Sequence, residues 1–246
     1  MKVSSLSVFM PAYNDLANLR RSVPECLGRL DSWASKPELL VVLDNRTRDG
    51  SREYLLGVPG VRLIEQSGDD PGYGRALALG WEAARGELVF YTDCDGQYSL
   101  DDLPRFLEAS RRADLVVGYR EIRRDPPARI ATAWSYNRLI RMLFGLRVRD
   151  VDCSFKLVRR AALKQMAFAC RTGAVEAELF LQARAAGLKT VEIPVRHYPR
   201  RAGASAFDRG RLALPAAGNV RAVFRELLLL KRSACPPPSK PDRISA

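Results

Sequence analysis

Short hydrophobic runs alternate with longer amphipathic stretches through the first half of the chain. The runs are bounded by turn residues and rich in branched or aromatic side chains, so they predict buried strands. They are Leu6–Met10, Leu39–Leu43, Val61–Ile64, Leu88–Tyr91 and Leu115–Val117. The stretches between them predict helices at about 16–30, 50–56, 74–85 and 101–112. This alternation predicts an α/β fold with a mostly parallel, doubly wound sheet flanked by helices.

The second half of the chain is less regular. Its pattern predicts helices at about 129–145, 174–186 and 211–232, and strands at 153–158 and Thr190–Val195. We therefore expect residues 1–232 to form a single domain with two halves, 1–119 and 120–232. Three consecutive prolines and small polar residues predict a disordered tail at 233–246.

The composition excludes several classes of protein. The 246 residues are 47% hydrophobic and 28% charged, which suffices for a sizeable core. No apolar run reaches the roughly 18–20 residues that cross a bilayer, and the first residues lack the apolar core of a signal peptide. Five scattered cysteines and one histidine argue against a zinc site. We expect a reduced, cytoplasmic protein that could lie at the cytoplasmic face of a membrane.

Charge is unevenly distributed along the chain. The net charge is +12, yet residues 1–119 carry 14 basic and 18 acidic side chains, so all of the excess lies in residues 120–246. A basic second half indicates an anionic partner. Charge alone leaves nucleic acid, an anionic membrane surface and a phosphorylated small molecule open.

Polar residues follow the predicted strands at the edge where ligands of doubly wound sheets bind. Asp44 follows the second strand, where its carboxylate could accept hydrogen bonds from a base or a ribose. Asp93 and Asp95 follow the fourth, and two carboxylates one residue apart suit a divalent cation. A helix cap or a solvated turn would explain either segment equally well. The segment 72–75 lacks the spacing of a dinucleotide-binding loop, which we reject.

Seven segments occur in the order and spacing of a known family. They are SVFMPAYND, VVLDNRTRDGS, GYGRALALG, ELVFYTDCDGQY, VVGYR, RDVDCSFKLVRR and VEIPVRHYPRRAGASAF. Over about residues 5–207 the chain resembles the family 2 glycosyltransferases, and among them the dolichol-phosphate mannose synthase branch of polyprenyl-phosphate sugar transferases. The resemblance implies the GT-A fold of nucleotide-diphospho-sugar transferases.

The resemblance also implies roles for the residues at matching positions. Those implied to bind the nucleotide and donor are Pro11, Ala12, Tyr13, Asp15, Asp44, Arg75 and Asp93. Those implied to ligate Mg²⁺ or Mn²⁺ are Asp93, Asp95 and Gln97. Those implied to hold the acceptor phosphate are Arg120, Arg129, Asn137, Arg200, Arg201 and Ser205. Asp95, Arg120 and Arg129 are implied to be catalytic. Asn45 and Arg46 depart from the family's D-D-G-S motif, which leaves the nucleobase and the sugar open.

Three functions follow from these observations. The first is an inverting, metal-dependent transfer of a sugar from a GDP- or UDP-sugar to a polyprenyl phosphate, whose ionised oxygen needs no strong base. The second uses a soluble acceptor such as a phosphorylated metabolite, glycan or natural product; a hydroxyl would need a base, and Asp152 or Glu178 is the candidate. The third, a basic nucleic-acid-binding protein, lacks the motifs of known modules, so we expect no nucleic acid partner.

Two segments, 129–149 and 211–232, mix apolar residues with arginines. Each could lie in a membrane interface as a peripheral contact, or could simply cover the sheet as an ordinary amphipathic helix. We expect His197 to pack beside the arginine-rich loop rather than to act as a base.

Overall fold

The computed structural model describes residues 2–68, 72–200, 202, 208–209, 214–215 and 217–233. Seven strands form one sheet: β1 (Val3–Ala12), β2 (Ala34–Leu43), β3 (Val61–Glu65), β4 (Leu88–Thr92), β5 (Leu115–Arg120), β6 (Phe155–Arg159) and β7 (Thr190–Val195). Their order is β3-β2-β1-β4-β6-β5-β7. Only β6 runs against its neighbours β4 and β5, so the prediction of a mostly parallel, doubly wound sheet is confirmed.

Helices connect these strands. They are α1 (Leu16–Trp33), α2 (Ser51–Leu56), α3 (Tyr73–Ala83), α4 (Leu103–Ala109), α5 (Pro127–Phe144), α6 (Arg160–Leu163), α7 (Ala174–Ala185) and α8 (Ala217–Ser233). A 3-10 turn at Leu100–Asp102 precedes α4.

The predicted start of the last helix is wrong. The pattern predicts a helix over 211–232, but β8 (Asp208–Arg209) pairs with β9 (Leu214–Pro215), and α8 begins only at Ala217. Pro215 has no backbone N–H, so it cannot donate the hydrogen bond that would continue a helix begun at 211. The helix therefore starts after this residue. At its other end α8 reaches Ser233, one residue into the predicted tail, whose remaining residues 234–246 lie outside the described ones.

Two apolar cores lie on opposite faces of the sheet. Successive strand residues alternate between them: Val8 and Met10 enter one core, and Phe9 enters the other. The first core is covered by α1, α2 and α4, and the second by α3, α5, α7 and α8. Because both faces are covered, the strands are continuously hydrophobic rather than alternating, which is why their runs were readable from the sequence.

The antiparallel strand brings an extra loop to the ligand-binding edge. Thr92 at the carboxyl end of β4 pairs with Phe155 at the start of β6. Since β6 runs in the opposite direction, the segment before it, residues 150–154, lies at the same edge as the segments that follow β1, β2, β4 and β5. Predicted donor and acceptor residues therefore converge on one edge of the sheet.

Candidate active site

At the ends of β1 and β2, one arginine contacts both a buried carboxylate and an aromatic ring. The N–H of Asp44 donates to the carbonyl of Ala12 at 3.0 Å and holds the two strand ends together. Arg46 donates to both carboxylate oxygens of Asp44, from Nε at 3.0 Å and from Nη2 at 2.7 Å. Its guanidinium also lies 5.5 Å from the ring centroid of Tyr13. The carboxylate that we predicted to contact the nucleobase is thus already hydrogen-bonded to Arg46.

The electrostatics of Asp44 follow from this pairing. Burial acts to raise the pKa of Asp44, but the hydrogen bonds from Arg46 outweigh it and hold the pKa below its ordinary value. Asp44 is therefore an ionised carboxylate that already has a cationic partner within the chain.

The predicted metal pair lies at the carboxyl end of β4. Asp95 is buried and Asp93 is half-buried. Burial and the neighbouring charge of Asp95 raise the pKa of Asp93 to about 7, against a hydrogen bond from Ser154. Burial also raises the pKa of Asp95, although Arg200 opposes the shift. Two carboxylates whose ionised forms are disfavoured gain most from a cation bound between them.

Arg200, from the second half of the chain, contacts two carboxylates of the first half. Its Nη2 lies 2.9 Å from Oδ2 of Asp95, and its Nη1 lies 3.6 Å from Oδ1 of Asp15. Asp15 stands at the start of α1, where its carbonyl accepts from the N–H groups of Asn18 and Leu19. A phosphate or cation that binds at Asp95 must therefore either meet this guanidinium or displace it.

Beside the paired carboxylates lies a group of three arginines and two aspartates, here called the arginine cluster: Arg120, Arg123, Arg129, Asp125 and Asp150. Arg120 is bidentate to Asp150, at 2.6 and 2.7 Å. Arg123 lies 3.0 Å and Arg129 lies 3.8 Å from Asp125. Three positive and two negative charges leave the cluster with a net positive charge, which suits an anionic ligand.

The two aspartates of the arginine cluster differ from the metal pair. Burial acts to raise the pKa values of Asp125 and Asp150, yet the surrounding arginines hold both below their ordinary value. Among the arginines, Arg120 is almost fully buried, whereas the Arg129 side chain is 27% exposed. Arg129 is thus the better placed of the two predicted catalytic arginines to reach a phosphate, and both roles stay predictions.

Gln97 links the metal pair to the arginine cluster. Its backbone N–H donates to Asp95 at 3.0 Å, and its Nε2 lies 3.4 Å from Asp125 and 3.2 Å from the carbonyl of Tyr198. Because Nε2 is engaged in these hydrogen bonds, Gln97 could ligate a metal only through Oε1.

Asn137 has a structural position in α5. Its Nδ2 donates to the carbonyl of Ala133 and its Oδ1 accepts from the N–H of Val151, both at 2.9 Å. The side chain therefore ties α5 to the loop before β6. A contact with the acceptor phosphate, as predicted, would have to replace one of these two hydrogen bonds.

The remaining predicted residues are placed as follows. Pro11 and Ala12 are buried at the end of β1, Tyr13 is exposed beyond it, and Arg75 is half-buried in the first turn of α3. Arg201 and Ser205 lie outside the described residues.

A buried ion pair, which the sequence analysis missed, lies beneath the metal pair. Nζ of Lys156, on β6, is fully buried and lies 2.6 Å from Oε2 of Glu176, in the first turn of α7. The Tyr91 hydroxyl donates to the same carboxylate. The only sequence signal was a lysine inside the strand-like run CSFKLV, and nothing there identified its partner.

Tyr73 connects this ion pair to Asp93. Its hydroxyl donates to Glu176 at 3.1 Å and lies 3.3 Å from Oγ of Ser154, which in turn hydrogen-bonds Asp93. A continuous polar chain thus runs from Lys156 to the metal pair and fixes the position of its first carboxylate.

The glycines of the GYG segment serve this arrangement. A Cβ at Gly74 would stand 2.5 Å from the carbonyl oxygen of Cys170, and the Gly74 N–H donates to the carbonyl of Arg171 at 2.9 Å. Only glycine lets the start of α3 approach the loop before α7 so closely. Segment 72–75 is therefore a packing contact that positions the Tyr73 hydroxyl next to Glu176 and Ser154.

The side chains weighed as general bases differ in their surroundings. Glu178 accepts from the N–H groups of Ala169 and Cys170, both at 3.0 Å, and so holds a loop. Burial raises the pKa of Asp152 to about 6, against the attraction of Arg120. Burial lowers the pKa of His197 to about 4, and its Nδ1 accepts from the N–H of Arg124 at 3.1 Å. The pKa of Asp152 is therefore shifted towards neutral pH, whereas that of His197 is shifted away from it.

A doubly wound sheet with paired carboxylates and arginines converging at one edge is the arrangement of a GT-A glycosyltransferase. Comparison with known families matches residues 7–167 to the family described as Glycosyl transferase family 2. The chain therefore belongs to that family and is a glycosyltransferase, which favours an enzyme over the nucleic-acid-binding alternative.

Two curated relatives narrow the comparison. The undecaprenyl-phosphate mannosyltransferase of Micrococcus luteus is 27% identical over 216 residues, covering 82% of this chain and 86% of the relative. The undecaprenyl-phosphate 4-deoxy-4-formamido-L-arabinose transferase of Pseudomonas paraeruginosa is 30% identical over 222 residues, covering 85% of this chain but 62% of the relative. The chain is thus similar to both over most of its own length, and the match covers less than two thirds of the second relative.

A solved structure shares the fold. Glucosyl-3-phosphoglycerate synthase from Mycobacterium tuberculosis, in complex with Mn²⁺, UDP and glucosyl-3-phosphoglycerate, superposes with a TM-score of 0.69 at 18% identity. The match covers 96% of this chain and 82% of that one. The expected GT-A fold is confirmed.

Proposed function

We propose that the chain transfers a sugar from a GDP- or UDP-sugar to a polyprenyl phosphate, with inversion, at the cytoplasmic face of a membrane. The observation that carries the proposal is the contact of Arg200 with Asp95. It places a guanidinium, which can bind phosphate, beside a carboxylate that can bind a metal ion. The two curated relatives are both named as sugar transferases of undecaprenyl phosphate, which supports a lipid phosphate as acceptor.

The donor set fits a divalent cation. Among the described residues, no group of three or more His, Cys, Asp and Glu side chains could hold a metal, so the protein would offer two carboxylates. Asp93 and Asp95, with Gln97 through Oε1, would hold Mg²⁺ or Mn²⁺ and leave positions for water and diphosphate oxygens. When bound, the cation would neutralise charge on the departing nucleoside diphosphate.

The residues of this chain would bind and orient the acceptor. Arg129 and Arg123 present guanidinium groups that can hold a phosphate by paired hydrogen bonds. One phosphate oxygen attacks the anomeric carbon as the bond to the nucleoside diphosphate breaks. Because that oxygen is already ionised near pH 7, no proton has to be removed. This agrees with a histidine that is held neutral by burial and hydrogen-bonded to the backbone.

A donor screen tests the proposal. The protein is incubated with radiolabelled GDP- and UDP-sugars, undecaprenyl phosphate, and Mg²⁺ or Mn²⁺, and the product is measured after extraction into butanol. We expect label in the organic phase from one donor, dependence on the metal, and at least a roughly hundredfold loss in Asp95→Asn, the range found when an electrostatic stabiliser is removed. Asp31→Asn, an exposed residue of α1, is the matched control and should keep full activity. Labelled product that stays in water contradicts the lipid acceptor.

A soluble acceptor is the second candidate, and one observation favours it. Asp152 lies beside the arginine cluster with a pKa raised to about 6, the range that suits removal of a proton from a hydroxyl. The Mycobacterium tuberculosis complex holds the product of such an acceptor, glucosyl-3-phosphoglycerate. When the screen is repeated with 3-phosphoglycerate as a soluble acceptor, Asp152→Asn separates the two candidates. The substitution should abolish transfer to a hydroxyl and leave transfer to undecaprenyl phosphate largely unchanged.

A further inference from the structure

Two helices expose apolar side chains of a kind that proteins usually bury. On α5, Trp134 is 65% and Met142 is 73% exposed. The other two tryptophans, Trp33 and Trp81, are buried. On α8 the exposed apolar residues are Val220, Phe224, Leu228 and Leu229. Exposed apolar residues gathered on neighbouring helices indicate a surface that meets a partner.

Both helices lie on the same side of the sheet. Ile140 and Phe144 of α5 and Leu227 of α8 are buried in one and the same core. The charge of Glu226, on α8, contributes to the raised pKa of Tyr136, on α5, so these two side chains lie near each other. Because both bury their inner faces in one core, their exposed residues point away from the same side of the sheet. We call the exposed sides of α5 and α8, taken together, the outer face.

The charge on this outer face has one sign. Helix α5 contains three arginines, Arg129, Arg138 and Arg141, and no acidic residue, and Arg138 and Arg141 are exposed. In α8 the sole acidic residue is Glu226, whose carboxylate accepts from the N–H groups of Arg171 and Thr172 at 2.9 and 3.1 Å. Its basic residues are Arg221, Arg225, Lys231 and Arg232. The partner of the outer face should therefore be anionic as well as apolar.

We infer that the outer face docks on an anionic lipid bilayer. Aromatic and aliphatic side chains mixed with arginines, without acidic neighbours, are typical of helices that lie in a membrane interface. No helix in the described ranges is long and apolar enough to cross a bilayer, so the contact is with one leaflet. A protein partner would have to offer the same combination of apolar and anionic groups over two helices.

The position of α5 relates the bilayer to the proposed active site. The helix begins at Pro127, and its first turn carries Arg129 of the arginine cluster. A bilayer against α5 therefore lies next to the arginines that would hold the acceptor phosphate. This step rests on the proposed function, whereas the docking itself does not.

Vesicle binding tests the inference, with Trp134 as a built-in probe. The full chain is mixed with vesicles of phosphatidylcholine, with or without phosphatidylglycerol, and sedimented. We expect binding to the anionic vesicles, weakened by salt, and quenching of tryptophan emission by lipids brominated in the acyl chain. Since Trp33 and Trp81 are buried, Trp134→Phe should remove most of this quenching while the variant still binds.

Charge reversal supplies the matched comparison. Arg138→Glu combined with Arg141→Glu, on the outer face, should weaken binding roughly tenfold or more, given the contribution of each basic residue near an anionic leaflet. Arg111→Glu combined with Arg112→Glu makes the same change in an exposed segment after α4, on the opposite side of the sheet, and should bind as the unmodified chain does. Thermal melting confirms that both variants are folded.

Two binding results would overturn the inference: no binding to anionic vesicles, or equal binding by the two charge-reversal variants. Self-association without vesicles would also overturn it if Trp134→Glu abolishes that self-association. The outer face would then be an interface with a second copy of the chain. Failure of the proposed function looks different. In that case the protein binds vesicles and is quenched as expected, but transfers no sugar to undecaprenyl phosphate.

Discussion

Four aspartates at one edge of the sheet divide into two pairs with opposite electrostatics. Burial raises the pKa values of Asp93 and Asp95, on the donor side. On the acceptor side Asp125 and Asp150 are also buried, yet arginines hold their pKa values low. The acceptor-side carboxylates are thus neutralised by the chain itself. The donor-side pair is incompletely neutralised, which is the condition in which an external cation binds most favourably.

Under the proposed function, this difference would let one fold bind two anionic substrates. On the donor side the chain supplies carboxylates, and the positive charge would come from a metal. On the acceptor side it supplies arginines, and enough aspartates to hold them in place. The net positive charge of residues 120–246 is therefore partly structural, because some of it neutralises buried carboxylates.

The buried ion pair beneath the metal pair gives the largest expected effect. Lys156→Met leaves the Glu176 carboxylate buried without its cation, which should cost about 3–5 kcal/mol of the free energy of unfolding. Urea denaturation measures the loss. Lys164→Met, which changes an exposed lysine just after α6, is the control and should change the free energy by less than about 0.5 kcal/mol.

A second variant shows whether the loss comes from the unpaired charge. Glu176→Gln added to Lys156→Met removes the uncompensated carboxylate, so the double variant should regain part of the stability. If the single Lys156→Met variant unfolds at the same urea concentration as Lys164→Met, the buried pair does not contribute to stability as its burial implies.

These cases also show where sequence reasoning reaches its end. The strands were predictable because both sheet faces are covered, and Asp93 and Asp95 because they directly follow one strand. Lys156 and Glu176 were not, because their contact depends on how β6 and α7 meet in space. Arg46 was visible as a departure from the family motif, but its pairing with Asp44 needed the loop geometry.

The imidazole of His197, which lies beside the arginine cluster, gives the next largest effect. Burial lowers its pKa from 6.5 to about 4, so the folded state binds a proton less readily than the unfolded state. Stability should therefore be complete above pH 6.5 and fall as the pH drops towards 4, by roughly 3 kcal/mol for a shift of this size.

The chain has one histidine, so its titration can be followed directly by NMR of the imidazole. We expect the ring to stay neutral to about pH 4. His197→Asn keeps an acceptor near the N–H of Arg124 and should remove this part of the pH dependence, which acid-induced unfolding of both proteins would measure. An imidazole that titrates near 6.5 contradicts the burial.

The smallest effect concerns Asp44, the carboxylate that is paired with Arg46. Arg46→Ala should raise the pKa of Asp44, because its main compensating partner is lost. If Arg46 has become the group that meets the nucleobase, the KM for the donor should rise about tenfold with kcat little changed, as expected for one hydrogen bond to a charged group. Arg52→Ala, which removes an exposed ion pair with Glu65, is the matched control. A fall in KM would mean that Arg46 instead blocks access of the donor to Asp44.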